Sequence, residues 1–71
     1  MSAEVKAEMM ANVWAVPIEV GQSVGEGETL VVLESMKMEI PVRAPSAGVV
    51  SAVRVVPQDS VQQGDVLVVL D

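Results

Sequence analysis

The residues of this chain best suited to chemistry lie in one five-residue segment, Glu-Ser-Met-Lys-Met at residues 34–38. Lys37 is flanked by Met36 and Met38, and the segment separates two runs typical of β-strands, residues 29–33 and 40–43. A lysine at such a hairpin tip offers its amine to another protein. The flexible thioether side chains beside it give that protein an apolar surface to bind. The pattern predicts a lysine presented to a protein partner.

Other kinds of chemistry are disfavoured by the residues that the chain lacks. Cysteine and histidine are both absent, which removes thiolates, the commonest metal ligand and the commonest general base. Carboxylates do not cluster with a nucleophile anywhere in the sequence. We therefore expect no catalytic residue and no metal site, and a protein that is a substrate of enzymes rather than an enzyme.

Composition narrows the class of protein further. The 71 residues are 51% hydrophobic with a single aromatic residue, which predicts one small domain, residues 1–71, with an aliphatic β core. Apolar runs reach only four or five residues, too short for a membrane span. Ten acidic residues against four basic ones give a net charge of -6, which disfavours nucleic acid as a partner. We expect a monomeric, cytoplasmic protein.

An internal repeat organises the chain. Residues 7–34 align without gaps on residues 44–71 at an offset of 37, and 11 of the 28 aligned positions are identical. Neither half has enough core to fold alone, so the repeat predicts two similar sheet halves that bury their apolar faces against each other. Lys37 lies in the connector, residues 35–43. Two-fold symmetry then predicts that the lysine and the two termini lie at opposite ends of the molecule.

Turn signals recur about every ten residues, the spacing of an all-β sandwich or barrel. Among them we expect Gly27, Gly48 and Gly64 to be structural turn residues, with Gly48 in a conformation unfavourable for a Cβ. If Arg54 points outward, its neighbours Val53 and Val55 point inward, and the repeat extends this prediction to their counterparts Val16 and Ile18. The runs at residues 30–33 and 67–70 lack alternation, and their faces stay unassigned.

Three runs together resemble the biotinyl/lipoyl attachment domain family. They are Val-Gly-Gln-Ser-Val at residues 20–24, the Met-Lys-Met centred on Lys37, and Ala-Pro-Ser-Ala-Gly-Val-Val at residues 44–50. The resemblance covers almost the whole chain, although Ser35 stands where the family usually has alanine. It implies a flattened barrel-sandwich hybrid of two four-stranded antiparallel sheets, with the modified lysine on an exposed hairpin turn.

The resemblance also implies a function. Lys37 would be biotinylated by a biotin protein ligase that recognises Met36, Met38, Glu34 and Ser35. The chain would then shuttle carboxybiotin between biotin carboxylase and carboxyltransferase subunits. Without a thumb insertion or an Ala/Pro-rich linker, it resembles the small free-standing members of the family. Lys6, the other lysine, lies near an N-terminus that we expect to be flexible and lacks the methionine frame.

Two alternatives stay open from the sequence. A lipoyl carrier would use the same fold and the same lysine, but lipoyl domains usually have Asp-Lys-Ala where this chain has Met-Lys-Met, so lipoate is the less favoured cofactor. The second alternative is an unmodified barrel-sandwich interaction module. Such modules generally lack a lysine framed in this way.

Overall fold

Alternation of buried and exposed residues along the strands builds a sandwich of two sheets. In the strand at residues 11–15, for example, Ala11 and Val13 are buried while Asn12 and Trp14 are exposed, so one face of the sheet is apolar. The computed structural model describes residues 2–71. It contains eight strands: β1 Ala3–Lys6, β2 Ala11–Ala15, β3 Ser23–Val24, β4 Thr29–Ser35, β5 Met38–Arg43, β6 Gly48–Val53, β7 Ser60–Val61 and β8 Val66–Leu70.

The strands form two four-stranded antiparallel sheets. One has the order β5-β4-β2-β7 and is called the lysine sheet here, because the β4–β5 turn contains Lys37. The other has the order β1-β8-β6-β3 and is called the terminal sheet, because it holds the first and last strands. This architecture confirms the predicted all-β fold. Within residues 2–71 there is no helix long and apolar enough to cross a membrane.

The core lies between the sheets and is entirely aliphatic. Its largest fully buried side chains come from the central strands of both sheets: Leu30, Val31, Leu33, Val50, Leu67 and Val68. Val55 and Ile18 are buried while Val53 and Val16 pack partly against the core, as predicted from an outward Arg54. Every buried side chain in the described chain is hydrophobic, so packing of apolar surface is the dominant favourable term.

Bulges explain why the faces of β4 and β8 could not be assigned from the sequence. The pairing register of β4 with β5 shifts between Thr29 and Val31, and that of β1 with β8 shifts between Val5 and Lys6. A bulge interrupts the two-residue alternation of faces. Consecutive residues such as Leu30 and Val31 are therefore both buried.

The repeat is visible in the backbone as a pseudo-two-fold axis. Adding 37 to a residue number carries β2, β3 and β4 onto β6, β7 and β8, and exchanges the two sheets strand by strand. Backbone hydrogen bonds repeat as well: the Ala7 N–H donates to the Asp65 carbonyl at 2.9 Å, and the Ala44 N–H to the Glu28 carbonyl at 2.8 Å. Each sheet contains strands of both halves, because β3 and β7 are exchanged. The predicted picture of one half facing the other needs this correction.

Lys37 and the end of the chain lie far apart. Asp71 is paired through its backbone with Val49, next to Gly48, and Gly48 is paired with Val24 of β3. From that end a turn at residues 25–28 leads into β4, whose seven residues span roughly 20 Å before the lysine turn. The molecule is 33 Å long in its greatest dimension. This placement agrees with the predicted arrangement of lysine and termini.

The three turn glycines divide into two kinds. Gly27 and Gly64, which are symmetry counterparts, have φ of 84° and 93° in tight turns, where a side chain would be strained. Gly48 differs from the prediction, because it is the first residue of β6 and its φ is not positive. Its requirement is close approach: a Cβ at this position would lie 2.7 Å from the Asp71 carbonyl oxygen.

Gly48→Val should therefore destabilise the protein, for this steric reason. The valine must either displace Asp71, breaking its two backbone hydrogen bonds with Val49, or distort β6. We expect a loss of about 1–3 kcal/mol, measured by urea unfolding. Gly25→Ala is the matched control, since a Cβ there meets nothing within 4 Å and its φ is not positive. Equal stability of the two variants would contradict the close approach.

Candidate functional site

The lysine lies on a hairpin turn of only two residues. β4 and β5 stay paired to their ends, with Glu34 opposite Glu39 and Ser35 opposite Met38. This leaves Met36 and Lys37 as the turn, with φ of 53° and 64°. Positive φ at both central residues is the signature of a type I′ turn, whose twist matches that of the strands it joins. The strands thus reach closer to the lysine than the predicted runs, which ended at residue 33 and began again at residue 40.

The turn is an energetically poor place for Met36 and Lys37. Type I′ turns favour Asn-Gly because side chains with a Cβ are strained in the left-handed region, at a cost of about 1–2 kcal/mol per residue. Both turn residues carry long side chains in that region. The local backbone does not favour these two side chains. The reason for these two residue types therefore lies in their exposed side chains and not in the backbone of the turn.

The structure brings the predicted recognition residues together around the turn. Met36 is 89% exposed and Met38 is 61% exposed, so both thioethers are available to a partner on either side of Lys37. Glu34 and Ser35, at the end of β4, are half-buried. Glu34 follows the inward-facing Leu33 and so lies on the outer face of the lysine sheet. Ser35, the next residue, lies on the inner face.

The Lys37 amine is exposed, and in the described chain it makes neither a hydrogen bond nor an ion pair. The ion pair found within residues 2–71 is that of Lys6 with Glu4, at 3.9 Å. Lys6, expected near a flexible N-terminus, belongs to β1 and pairs with Val66 of β8. The two lysines therefore differ in backbone setting, one on a tight turn and the other inside a sheet.

Met10 is a residue of this site that the sequence did not reveal. It lies in the connection between β1 and β2, is 73% exposed, and lines a cleft of about 430 Å³ together with Ser35 and Met36. Two other residues that line the cleft, Ser60 and Asn12, are paired between β7 and β2, and the Ser60 hydroxyl donates a hydrogen bond to Asn12 Oδ1 at 3.1 Å. Met10 is remote from Lys37 in sequence. The pairing of β2 with β4 brings it beside Ser35 and Met36.

Fold and site together define a class, a β-sandwich that presents one lysine on an exposed turn. The family model that matches the chain is described as "Biotin-requiring enzyme", covers biotin and lipoyl attachment, and matches residues 1–70. The chain belongs to this biotin/lipoyl attachment family.

Two relatives resemble the chain over nearly their whole length. "Biotinylated protein TB7.3 homolog" of Mycobacterium leprae (strain TN) is 49% identical over 70 residues, with 99% of each chain covered. "Biotin/lipoyl attachment protein" of Bacillus subtilis (strain 168) is 41% identical over 66 residues, covering 93% of this chain and 90% of the relative.

Solved structures of large carboxylases contain the same fold. The urea carboxylase of Kluyveromyces lactis superposes with a TM-score of 0.94 at 27% identity over 100% of this chain. A single-chain, multi-domain long-chain acyl-CoA carboxylase superposes with a TM-score of 0.90 at 35% identity over 96% of it. The chain spans only 6% and 7% of those two proteins.

Proposed function

We propose that this protein is a biotin carboxyl carrier, formed by residues 1–71 as one attachment domain. A biotin protein ligase attaches biotin to Lys37, and the loaded chain serves a biotin carboxylase and a carboxyltransferase in turn. The observation that carries the proposal is Lys37 itself, exposed on a strained turn between two exposed methionines in the fold of this family. The chain supplies no catalytic group in this proposal and acts as an acceptor and carrier.

The residues present fit biotin as a covalent group. An amide at Nζ requires an accessible amine, and the Lys37 side chain is exposed and unpaired within residues 2–71. Attached there, biotin would supply a ureido nitrogen able to hold a carboxylate derived from bicarbonate between one enzyme and the next. The tether keeps that group at a high effective concentration near both enzymes.

The attachment step requires different contributions from the chain and from the ligase. Attack on the activated carboxyl of biotinyl-adenylate requires a neutral amine, and the amide bond forms at Nζ as AMP leaves. No hydrogen bond or ion pair within residues 2–71 involves Nζ, so in this proposal a base of the ligase accepts the proton that the amine gives up. The chain contributes position: the two-residue turn fixes the backbone of Lys37, while Met36 and Met38 offer flexible apolar contacts to the ligase. Glu34 and Ser35 complete the surface that the ligase recognises.

The names of the relatives support biotin over lipoate. One relative that matches over 99% of its length is called a biotinylated protein, and similar domains lie in pyruvate and urea carboxylases. Neither the lipoyl carrier nor the unmodified module is favoured by this pattern. We place the reaction in the cytoplasm, because ligase and carboxylase both consume ATP, and we propose that the carrier acts as a monomer.

Intact mass spectrometry of the protein purified from its own cells tests this proposal. We expect one biotinyl group per chain, located on Lys37 by peptide mapping. A lipoyl group at the same residue would replace the biotin assignment with the lipoyl alternative. A wholly unmodified population, from cells whose other carboxylase carriers are biotinylated, would contradict the carrier function.

A further inference from the structure

The two-fold repeat provides an internal control for the surface of the protein. Counterparts 37 residues apart occupy corresponding positions in the strands of the two sheets, so a difference on the outer faces calls for a reason beyond the shared strand arrangement. The inner faces obey this rule closely: Leu30, Val31 and Leu33 of β4 correspond to Leu67, Val68 and Leu70 of β8. The outer faces do not.

One row of outward-facing residues crosses the middle of each sheet. In the lysine sheet it is made of Val32 on β4, its partner Pro41 on β5, and Trp14, the unpaired residue at a bulge of β2 beside the Ala15–Val32 pair. In the terminal sheet the counterparts are Val69 on β8, its partner Glu4 on β1, and Ser51, the unpaired residue at the matching bulge of β6. The central valine is shared. Both ends of the row are apolar in the lysine sheet and polar in the terminal sheet.

The stability of the fold does not explain why the ends of the row are apolar in one sheet and polar in the other. Trp14 is 56% exposed and is the only tryptophan of the chain, whereas its counterpart Ser51 donates a hydrogen bond to the Val69 carbonyl at 3.1 Å. Pro41 could serve to protect an edge strand, but a charged residue does the same, and Glu4 occupies the equivalent edge position. The terminal sheet shows that the fold accommodates polar residues at both positions.

The apolar row lies on the same outer face as the residues that lead to the lysine turn. Between the apolar row and the turn lies one polar row across all four strands of the lysine sheet, made of Ser60, Asn12, Glu34 and Glu39. Moving along the outer face away from the turn, the surface changes from methionine and lysine to two carboxylates. The apolar residues Trp14, Val32 and Pro41 follow. Such a surface is complementary to a protein with an apolar centre and a basic rim.

We propose that this outer face of the lysine sheet is where the biotin ligase holds the domain, an inference that rests on the proposed function. The ligase must bring its active site to Nζ of Lys37 itself, so its surface comes against the β4–β5 hairpin and the sheet beneath it. Enzymes that act at the far end of an attached arm need no such approach. A specific interface also needs more area than a two-residue turn offers, and the apolar row supplies it.

Variants that give the lysine sheet the residues of the terminal sheet test the inference. Trp14→Ser and Pro41→Glu, alone and combined, should raise KM for the carrier in biotinylation by a purified ligase while leaving kcat unchanged. We expect the double variant to lose roughly ten-fold or more in kcat/KM, the scale of losing an interface hot spot. Val56→Ser is the matched control, because Val56 is 61% exposed but lies outside the strands of this face, and it should react like the wild type.

A second readout does not depend on variants that fold. Incorporation of 5-fluorotryptophan places one ¹⁹F probe at Trp14, and its resonance should shift when ligase is added to the unmodified carrier. Unchanged kcat/KM in Pro41→Glu together with an unshifted resonance would overturn the inference, and biotinylation of the wild type would still uphold the proposed function. A raised KM only toward the carboxylase, or concentration-dependent dimerisation that Trp14→Ser abolishes, would also overturn it by assigning the face to another occupant. Failure of the wild type to accept biotin would instead contradict the proposed function.

Discussion

Lys37→Arg is expected to abolish biotinylation without changing the fold. Arginine keeps the positive charge and the length of the side chain, but its guanidinium stays protonated and cannot attack an activated carboxyl. Because Lys37 is exposed on the turn and packs against nothing in the core, the melting temperature should remain within about 2 °C of the wild type. Intact mass after incubation with ligase, biotin and ATP measures the first effect, and thermal unfolding measures the second.

Lys6→Arg provides the matched control for this experiment. Lys6 is exposed like Lys37 but belongs to β1, so its replacement should leave biotinylation at the wild-type level. Biotin remaining on the Lys37→Arg protein would mean that the ligase uses another residue. The assignment of Lys37 as the attachment site would then be wrong.

Leu30→Ala and Leu67→Ala should destabilise the protein by similar large amounts. Both leucines are 0% exposed, and they are symmetry counterparts in the central strands β4 and β8. Truncation of a buried leucine costs about 2–5 kcal/mol, while a domain of this size is stable by only about 4–10 kcal/mol. Each variant should melt roughly 10–20 °C below the wild type, and one or both should be partly unfolded at 37 °C.

Val32→Ala controls for the loss of a side chain on β4 that does not belong to the core. Val32 is half-buried on the outer face, so its truncation should cost much less than either leucine. A loss below about 1 kcal/mol for only one of the leucines would show that the two halves do not share the core equally.

The fold was predictable from sequence wherever its cause was local or repeated. The two-fold symmetry was predicted from the constant offset of 37 between matching residues, for example between Leu30 and Leu67 and between Gly27 and Gly64. The exchange of β3 and β7 between the sheets was missed, because strands of two residues have too little pattern to indicate their partners. Gly48 was correctly singled out for the wrong reason, since a close approach to Asp71 involves a contact that only the folded chain creates.

The site was predictable to the extent that it lies in one segment. Lys37 and its two methionines are adjacent in sequence, so their common exposure follows from a hairpin. The turn type was not predictable, because Met-Lys lacks the Asn-Gly signal of a type I′ turn. Met10 was missed as a neighbour of the site, since the pairing of β2 with β4 places it beside Ser35 and Met36, and neither segment carries a sequence signal of that pairing.

The position of β8 in the middle of the terminal sheet has a consequence for when modification can occur. β8 pairs with β1 and β6, so the terminal sheet cannot assemble until Leu70 has emerged from the ribosome. The pairing of Ala3 with Leu70 joins residues from opposite ends of the described chain, and topologies dominated by such distant contacts fold in about milliseconds to seconds. The β4–β5 hairpin has no core to pack against until then. We therefore expect a ligase to bind the completed sandwich, after β8 has paired with β1 and β6, rather than the isolated hairpin.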